Sequence, residues 1–271
     1  MPDISINGAR LHYEIHGEGP ETVFFAHGLL WSSAMFERQV DALKDRYRCV
    51  TFDFRGQGQS EVAPAGYDMN TLAEDATALI EALDAAPCHF VGLSMGGFVG
   101  MRLAIRRPEL LRSLVLLETS ADPEPPDSAR QYRLLNFVAR WFGLGLVAGR
   151  VMPIMFGAPF LTDPERADLR TAWRERLVAN HKVGITRAVK GVVERDGVYD
   201  QLDQITVPTL VVVGEEDAAT PPPKAERIAA RIPDAELVVL PRAGHTSTVE
   251  EPEAVNAALE SFLKTPREAS G

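Results

Sequence analysis

Cysteine is scarce in this chain of 271 residues, where Cys49 and Cys88 are the only two. One pair of thiols cannot staple a chain of this length, which argues against a secreted disulfide scaffold and for a reducing compartment. Basic residues are in deficit: 28 Lys and Arg stand against 38 Asp and Glu, a net charge of −10. An acidic chain repels phosphate backbones, so no nucleic-acid partner is expected. No apolar run approaches the roughly 20 residues that span a bilayer. The first residues, Met1-Pro2-Asp3-Ile4, carry an acid where a secretory leader carries bases, and no apolar core follows them. No membrane partner is expected, and the cytoplasm is the default location. Metal-ligand spacings are missing too: there is no H-E-x-x-H and no Cys/His cluster, so neither a metal nor another cofactor is expected.

What the chain does have is apolar residues in short runs. Hydrophobic residues make up 45% of it and charged ones 24%, an ordinary balance for a globular protein with a sizeable core. Six runs stand out, at 23–26, 49–52, 90–93, 114–117, 210–213 and 237–240. They are continuous rather than alternating, which predicts strands buried on both faces of a parallel sheet. Leu11 to Ile15 alternates with polar residues and predicts an antiparallel edge strand. Helical patterns lie between the runs. Thr71-Leu72-Ala73-Glu74 reads as a capping box that opens an amphipathic helix to Leu83. Phe98 to Arg107 reads as a helix stopped by Pro108, and Pro252 to Leu263 as another. Strand alternating with helix predicts an α/β doubly wound sheet. Between Ala121 and Gln204 the strand rhythm lapses, then resumes after Val207-Pro208. We expect one core domain from 1–120 and 205–271, with 121–204 inserted as a helical cap over the carboxyl ends of the strands, where such sheets bind ligands.

The most specific local signal is Gly92-Leu93-Ser94-Met95-Gly96-Gly97, a G-x-S-x-G pattern between a predicted strand and a predicted helix. A sharp turn there lifts the serine hydroxyl into the cleft, and small neighbours let the chain pack around it. Serine needs a base. Of the six histidines, His245 follows the last strand and lies on the same rim as Ser94. His12 and His16 flank an early strand, as surface or sheet-edge residues. His89 precedes its strand and belongs at the opposite end, and His181 reads as a solvated helix position. The base needs an orienting carboxylate. Asp217 follows the fifth run, with Glu215 and Glu216 as close rivals and Glu118, after the fourth run, as another. The oxyanion formed during attack needs two converging donors. The backbone N–H groups of Met95 and of Leu29, in His27-Gly28-Leu29, are the candidates, with His27 bracing the loop. The glycines of 55–60 lack the spacing of a nucleotide loop.

These motifs, with the segment 53–60 (Asp53-Phe54-Arg55-Gly56-Gln57-Gly58-Gln59-Ser60), resemble the α/β-hydrolase superfamily over roughly Ile6 to Leu263. The resemblance is to its serine esterase, lactonase and perhydrolase branch, which includes arylesterases, 3-oxoadipate enol-lactonases and acyl-homoserine lactonases. It implies an α/β-hydrolase fold: a mostly parallel sheet of about eight strands with a helical cap inserted after the sixth. It also implies Ser94, Asp217 and His245 as the triad, with Leu29 and Met95 as oxyanion donors. The expected activity is hydrolysis of a small ester or lactone through an acyl-enzyme. Two alternatives stay open: cofactor-free perhydrolase or haloperoxidase-like chemistry on the same triad, and a ligand receptor on a hydrolase scaffold. Trp31, Phe142, Met152, Met155 and Phe156 are the candidates for the substrate pocket. A homo-oligomer is compatible with the composition.

Overall fold

A computed structural model describes residues 2–264; Met1 and residues 265–271, part of the predicted core segments, lie outside the described residues. Strands β1 (Asp3–Ile6) and β2 (Ala9–His16) form a hairpin over Asn7 and Gly8. Both turn residues have positive φ, 46° and 75°, the backbone an Asn-Gly pair adopts readily and that matches strand twist. Then come β3 (Thr22–Ala26), α1 (Glu37–Leu43), β4 (Arg48–Phe52), α2 (Met69–Ala82), β5 (Cys88–Leu93), α3 (Met95–Arg106) and β6 (Leu111–Leu117). Five helices follow: α4 (Pro126–Phe142), α5 (Ala148–Met155), α6 (Ala158–Thr162), α7 (Ala167–Ala179) and α8 (Lys182–Val193). The described chain ends with β7 (Thr209–Gly214), α9 (Pro222–Arg231), β8 (Glu236–Leu240), α10 (Ser247–Glu250) and α11 (Pro252–Lys264).

All eight strands form one sheet, in the order β1-β2-β4-β3-β5-β6-β7-β8. β2 is antiparallel to both its neighbours, and every other pair is parallel. The apolar runs explain the layering. β3, β5 and β7 are buried at every residue. Because side chains alternate along a strand, Phe24 packs with α2 and α3 on one face, whereas Val23 and Phe25 pack with α1 and α11 on the other. The parallel strands end on one edge, and the loops at that edge carry the site. Among the described residues no helix is long and apolar enough to cross a membrane.

Several expectations are corrected here. Leu11 to Ile15 is not at the edge: β2 is second in order, and the edge strand is β1, revealed by the Asn7-Gly8 turn. His12 is accordingly buried, at 2% exposure, rather than a surface residue. The run at 237–240 is a strand but is not covered on both sides, because β8 closes the sheet and leaves Leu237 and Val239 exposed. Helix α2 starts before the predicted box. Asp68 is its N-cap and accepts from the Thr71 N–H at 3.0 Å, a side-chain oxygen satisfying an orphan donor of the first turn. Helix α3 starts at Met95, immediately after the serine.

Candidate active site

Ser94 joins β5 to α3 at φ 52° and ψ −107°, a backbone conformation that side chains disfavour. Its surroundings hold it there. The Ser94 N–H donates to the Leu117 carbonyl at 2.8 Å, and the Ser94 carbonyl accepts from the Thr119 hydroxyl at 2.8 Å and the Phe98 N–H at 3.0 Å. The glycines of the motif are needed for close approach: a Cβ on Gly92 would overlap the Gly96 carbonyl, and one on Gly96 the Ala26 carbonyl.

The turn aims Ser94 at a histidine 151 positions away. His245 Nε2 lies 2.9 Å from Ser94 Oγ, and His245 Nδ1 lies 2.9 Å and 3.0 Å from the two Asp217 oxygens. Asp217 also accepts from the Ala219 and Thr220 N–H groups and from the Thr220 hydroxyl. Burial pushes this carboxyl up, but His245 and Thr220 outweigh it, so it is held below the usual carboxylate range. An ionised Asp217 accepts a hydrogen bond from the Nδ1–H of His245, which leaves Nε2 free to accept from the serine hydroxyl.

The rival acids fall away for physical reasons. Glu215 and Glu216 are exposed, and Glu216 caps Ala158 N–H on the insertion at 2.8 Å. Glu118 is fully buried, with Asp217 and Glu250 nearby. Burial above all, with those two like charges, drives its carboxyl well above the usual range. Ser247 and the Gly214 backbone lie close, but neither of its oxygens makes a hydrogen bond of normal geometry. A neutral acid cannot balance an imidazolium. Glu250, which no motif flags, holds the His245 loop: it accepts from the N–H groups of Gly244, Thr246 and Gly157 at 2.8–3.0 Å. Burial still pushes it up to about 7. Gly157 belongs to the turn between α5 and α6, so one carboxyl joins the histidine loop to the helices between β6 and β7.

The loop after β3 supplies the other side. His27 accepts the Phe54 N–H at 3.0 Å and donates to the Gly28 carbonyl at 2.7 Å, which braces the loop. Gln57, buried between Gly56 and Gly58, accepts the Leu30 N–H at 2.9 Å, and Leu30 carries a positive φ of 75°. Leu29 lines the same cavity as Ser94 and His245. Met95 is the first residue of α3, where N–H groups have no intrahelical partner and the helix dipole is positive. The segment 53–60 is a structural turn: Asp53 accepts from Ser33 and Gln59 N–H groups, and Arg55 forms a buried two-point ion pair with Asp75 at 2.7 Å. Sequence reasoning found no role for Gln57, Thr220 or Glu250: Gln57 and Glu250 bind backbone N–H groups that the fold brings near, and Thr220 binds the Asp217 carboxylate, a contact that no motif signals.

A cavity of about 120 Å³ opens at Ser94 and His245. Its wall is mostly aliphatic, including Leu144, Val151, Leu177 and Ile185, and most of it comes from α4, α5, α7 and α8. Of the residues proposed from sequence, Met155 lines it. Trp31, Met152 and Phe156 are buried elsewhere: Trp31 packs edge-on against Trp173 at 5.0 Å, and Phe156 stacks on Phe160 at 4.6 Å. Phe142 is 67% exposed. Trp31, Phe156, Phe160 and Trp173 thus pack on one another, and mostly aliphatic side chains face the cavity. Cys49 and Cys88 are buried thiols pushed up to about 12 by burial, unsuited to nucleophilic attack.

The chain is similar to known proteins along nearly its whole length. A putative carbamate hydrolase, RutD, of Variovorax paradoxus is 34% identical over 262 residues, 93% of this chain and 96% of the relative. A thermophilic esterase from Thermogutta terrifontis superposes with a TM-score of 0.90 at 30% identity, covering 97% of this chain and 98% of that one. The enol-lactonase from Burkholderia xenovorans LB400 superposes with a TM-score of 0.91 at 28% identity, covering 97% and 100%. The sequence profile described as "Alpha/beta hydrolase family" matches residues 23–258, and with the eight-stranded, mostly parallel sheet it follows that the chain belongs to the alpha/beta hydrolase family.

Proposed function

We propose that the protein is a serine hydrolase acting on small carboxylic esters or lactones. The observation that carries the reading is the unbroken hydrogen-bond line from Ser94 through His245 to Asp217. Ser94 Oγ bonds to the scissile carbonyl carbon as His245 Nε2 takes its proton, and Asp217 balances the imidazolium charge. The Leu29 and Met95 N–H groups receive the oxyanion, a contribution of roughly 3–4 kcal/mol per donor in comparable sites. Collapse breaks the ester C–O bond, and the departing alkoxide takes the proton back from His245. Water then loses a proton to Nε2 and adds to the acyl group; the acid leaves and the proton returns to Ser94.

The cavity supports a small substrate. At about 120 Å³ it is somewhat smaller than the roughly 150 Å³ that encloses benzene, so an acyl chain or lactone ring of five or six heavy atoms fits. Because helices between 126 and 193 form most of that wall, we assign residues 121–204 the role of a cap that sets the acyl volume. The esterase and enol-lactonase among the similar structures support the ester and lactone reading. The carbamate hydrolase name of the curated relative makes carbamates the proper competitors in a substrate panel. Ser94→Ala is expected to abolish hydrolysis of p-nitrophenyl butyrate and of γ-butyrolactone while the circular-dichroism spectrum stays unchanged. Turnover above a few per cent of wild type would sink the assignment.

A further inference from the structure

One corner of the otherwise aliphatic cavity is polar. Glu124, in the loop from β6 to α4, and Tyr132, on α4, both line it. Glu124 Oε2 accepts from Arg195 Nη1 at 2.7 Å, in an ion pair whose side chains are only 8% and 2% exposed. The arginine lies over the Phe98 ring at 4.2 Å, and Phe98 is itself part of the cavity wall. Burying an ion pair costs desolvation that its own attraction barely offsets, so a purely structural wall would be as stable with apolar residues. The second Glu124 oxygen, Oε1, has no hydrogen-bond partner among the described residues, nor does the Tyr132 hydroxyl. Neither atom is sealed off as a buried orphan. An acceptor and a phenol that can donate or accept therefore stand open on one wall.

The electrostatics narrow what they hold. Glu124 is already neutralised by Arg195, and Lys224 lies close to both. An ammonium would gain little there. Burial, and after it Glu124 and Asp217, pushes the Tyr132 phenol up to about 12, so it keeps its proton as a donor. Ala219 and Thr220, whose N–H groups bind Asp217, line the same cavity.

Resting on the hydrolase reading above, we propose that Glu124 and Tyr132 form a specificity subsite for substrates that carry an uncharged hydrogen-bond donor, a hydroxyl or an amide N–H, beside the scissile carbonyl. The donor hydrogen-bonds to Glu124 Oε1, and the Tyr132 hydroxyl donates a hydrogen bond to the oxygen of the same group. A site built around buried polar atoms discriminates strongly against analogues that leave them unpaired.

The test compares p-nitrophenyl 3-hydroxybutyrate with p-nitrophenyl butyrate, and p-nitrophenyl N-acetylglycinate with the cationic β-alanine ester. Wild type is expected to favour each neutral donor at least tenfold in kcat/KM, and Tyr132→Phe and Glu124→Gln each to reduce that preference at least tenfold. In the Ser94→Ala background, ligand-observed NMR should find methyl 3-hydroxybutyrate bound at least tenfold more tightly than methyl butyrate, with the difference lost on adding Tyr132→Phe. Equal dissociation constants for the two methyl esters, or a kcat/KM preference unmoved by both variants, overturns the subsite. Because the binding arm needs no turnover, activity that survives Ser94→Ala refutes the hydrolase reading separately.

Discussion

Ser94 is held at φ 52°, ψ −107° by three hydrogen bonds to its backbone groups, and its side chain is disfavoured in that conformation. Removing the Cβ relieves strain on the order of 1–3 kcal/mol, partly offset by the extra freedom glycine has when unfolded. Ser94→Gly should therefore melt above Ser94→Ala by roughly 2–4 °C, read by scanning calorimetry; an equal or lower Tm contradicts the strain argument. The two buried carboxyls make a second contrast. Asp217 is ionised and hydrogen-bonded to His245, whereas Glu118 is driven toward its neutral form. Asp217→Asn should lower kcat by about 10⁴, as loss of the orienting acid does elsewhere, and Glu118→Gln by less than tenfold; the reverse order in steady-state assays would move the acid to the loop after β6. Ser94, Asp217 and His245 were legible because each follows an apolar run at its carboxyl end. The resemblance already pointed to Asp217 over Glu215 and Glu216, and burial supplies the physical reason: Asp217 is buried whereas its two neighbours are exposed. Trp31 and Phe156 were misread as pocket wall because a cluster of rings buries itself as readily as it lines a void.

At the level of elements, α10 is one turn long, and its last residue, Glu250, folds back onto the loop that carries His245. Its ordinary value is 4.5, and burial brings it to about 7 in the folded protein. Between those values the native state holds more protons than the unfolded chain, so stability falls as pH rises from about 4.5 to 7 and levels off above. The loss from this group is on the order of 3 kcal/mol. Tm measured between pH 5 and 7.5 should decline in wild type, and the slope should shrink in Glu250→Gln; an unchanged slope assigns the effect to other groups. Strands were the most legible elements, since a continuous apolar run of four or five residues bounded by turns is too short for a helix. Order within the sheet was not. The same kind of run serves β7, paired on both sides, and the edge strand β8, and only pairing partners distinguish them.

For the whole molecule, the lapse of strand rhythm after β6 was plain in the sequence, and the described helices α4 to α8 fill it. How that segment seats was not, because the contact is between backbones: a Cβ on Gly244 would overlap Gly157, and Thr246 Oγ1 donates to the Met155 carbonyl at 2.7 Å. Charge divides along the same seam. Residues 121–200 hold 12 Lys and Arg against 10 Asp and Glu, so the negative excess lies in the sheet-bearing remainder. The separation of 151 positions between Ser94 and His245 has a consequence for the protein as it is made. At roughly 5–20 residues per second, a ribosome needs about 8–30 s to go from the serine to the histidine. Throughout that interval every nascent chain carries Ser94 without His245, and on the proposed mechanism turnover starts only after β8 and the loop that follows it have been synthesised and docked. Activity in a translation reaction therefore counts finished molecules alone.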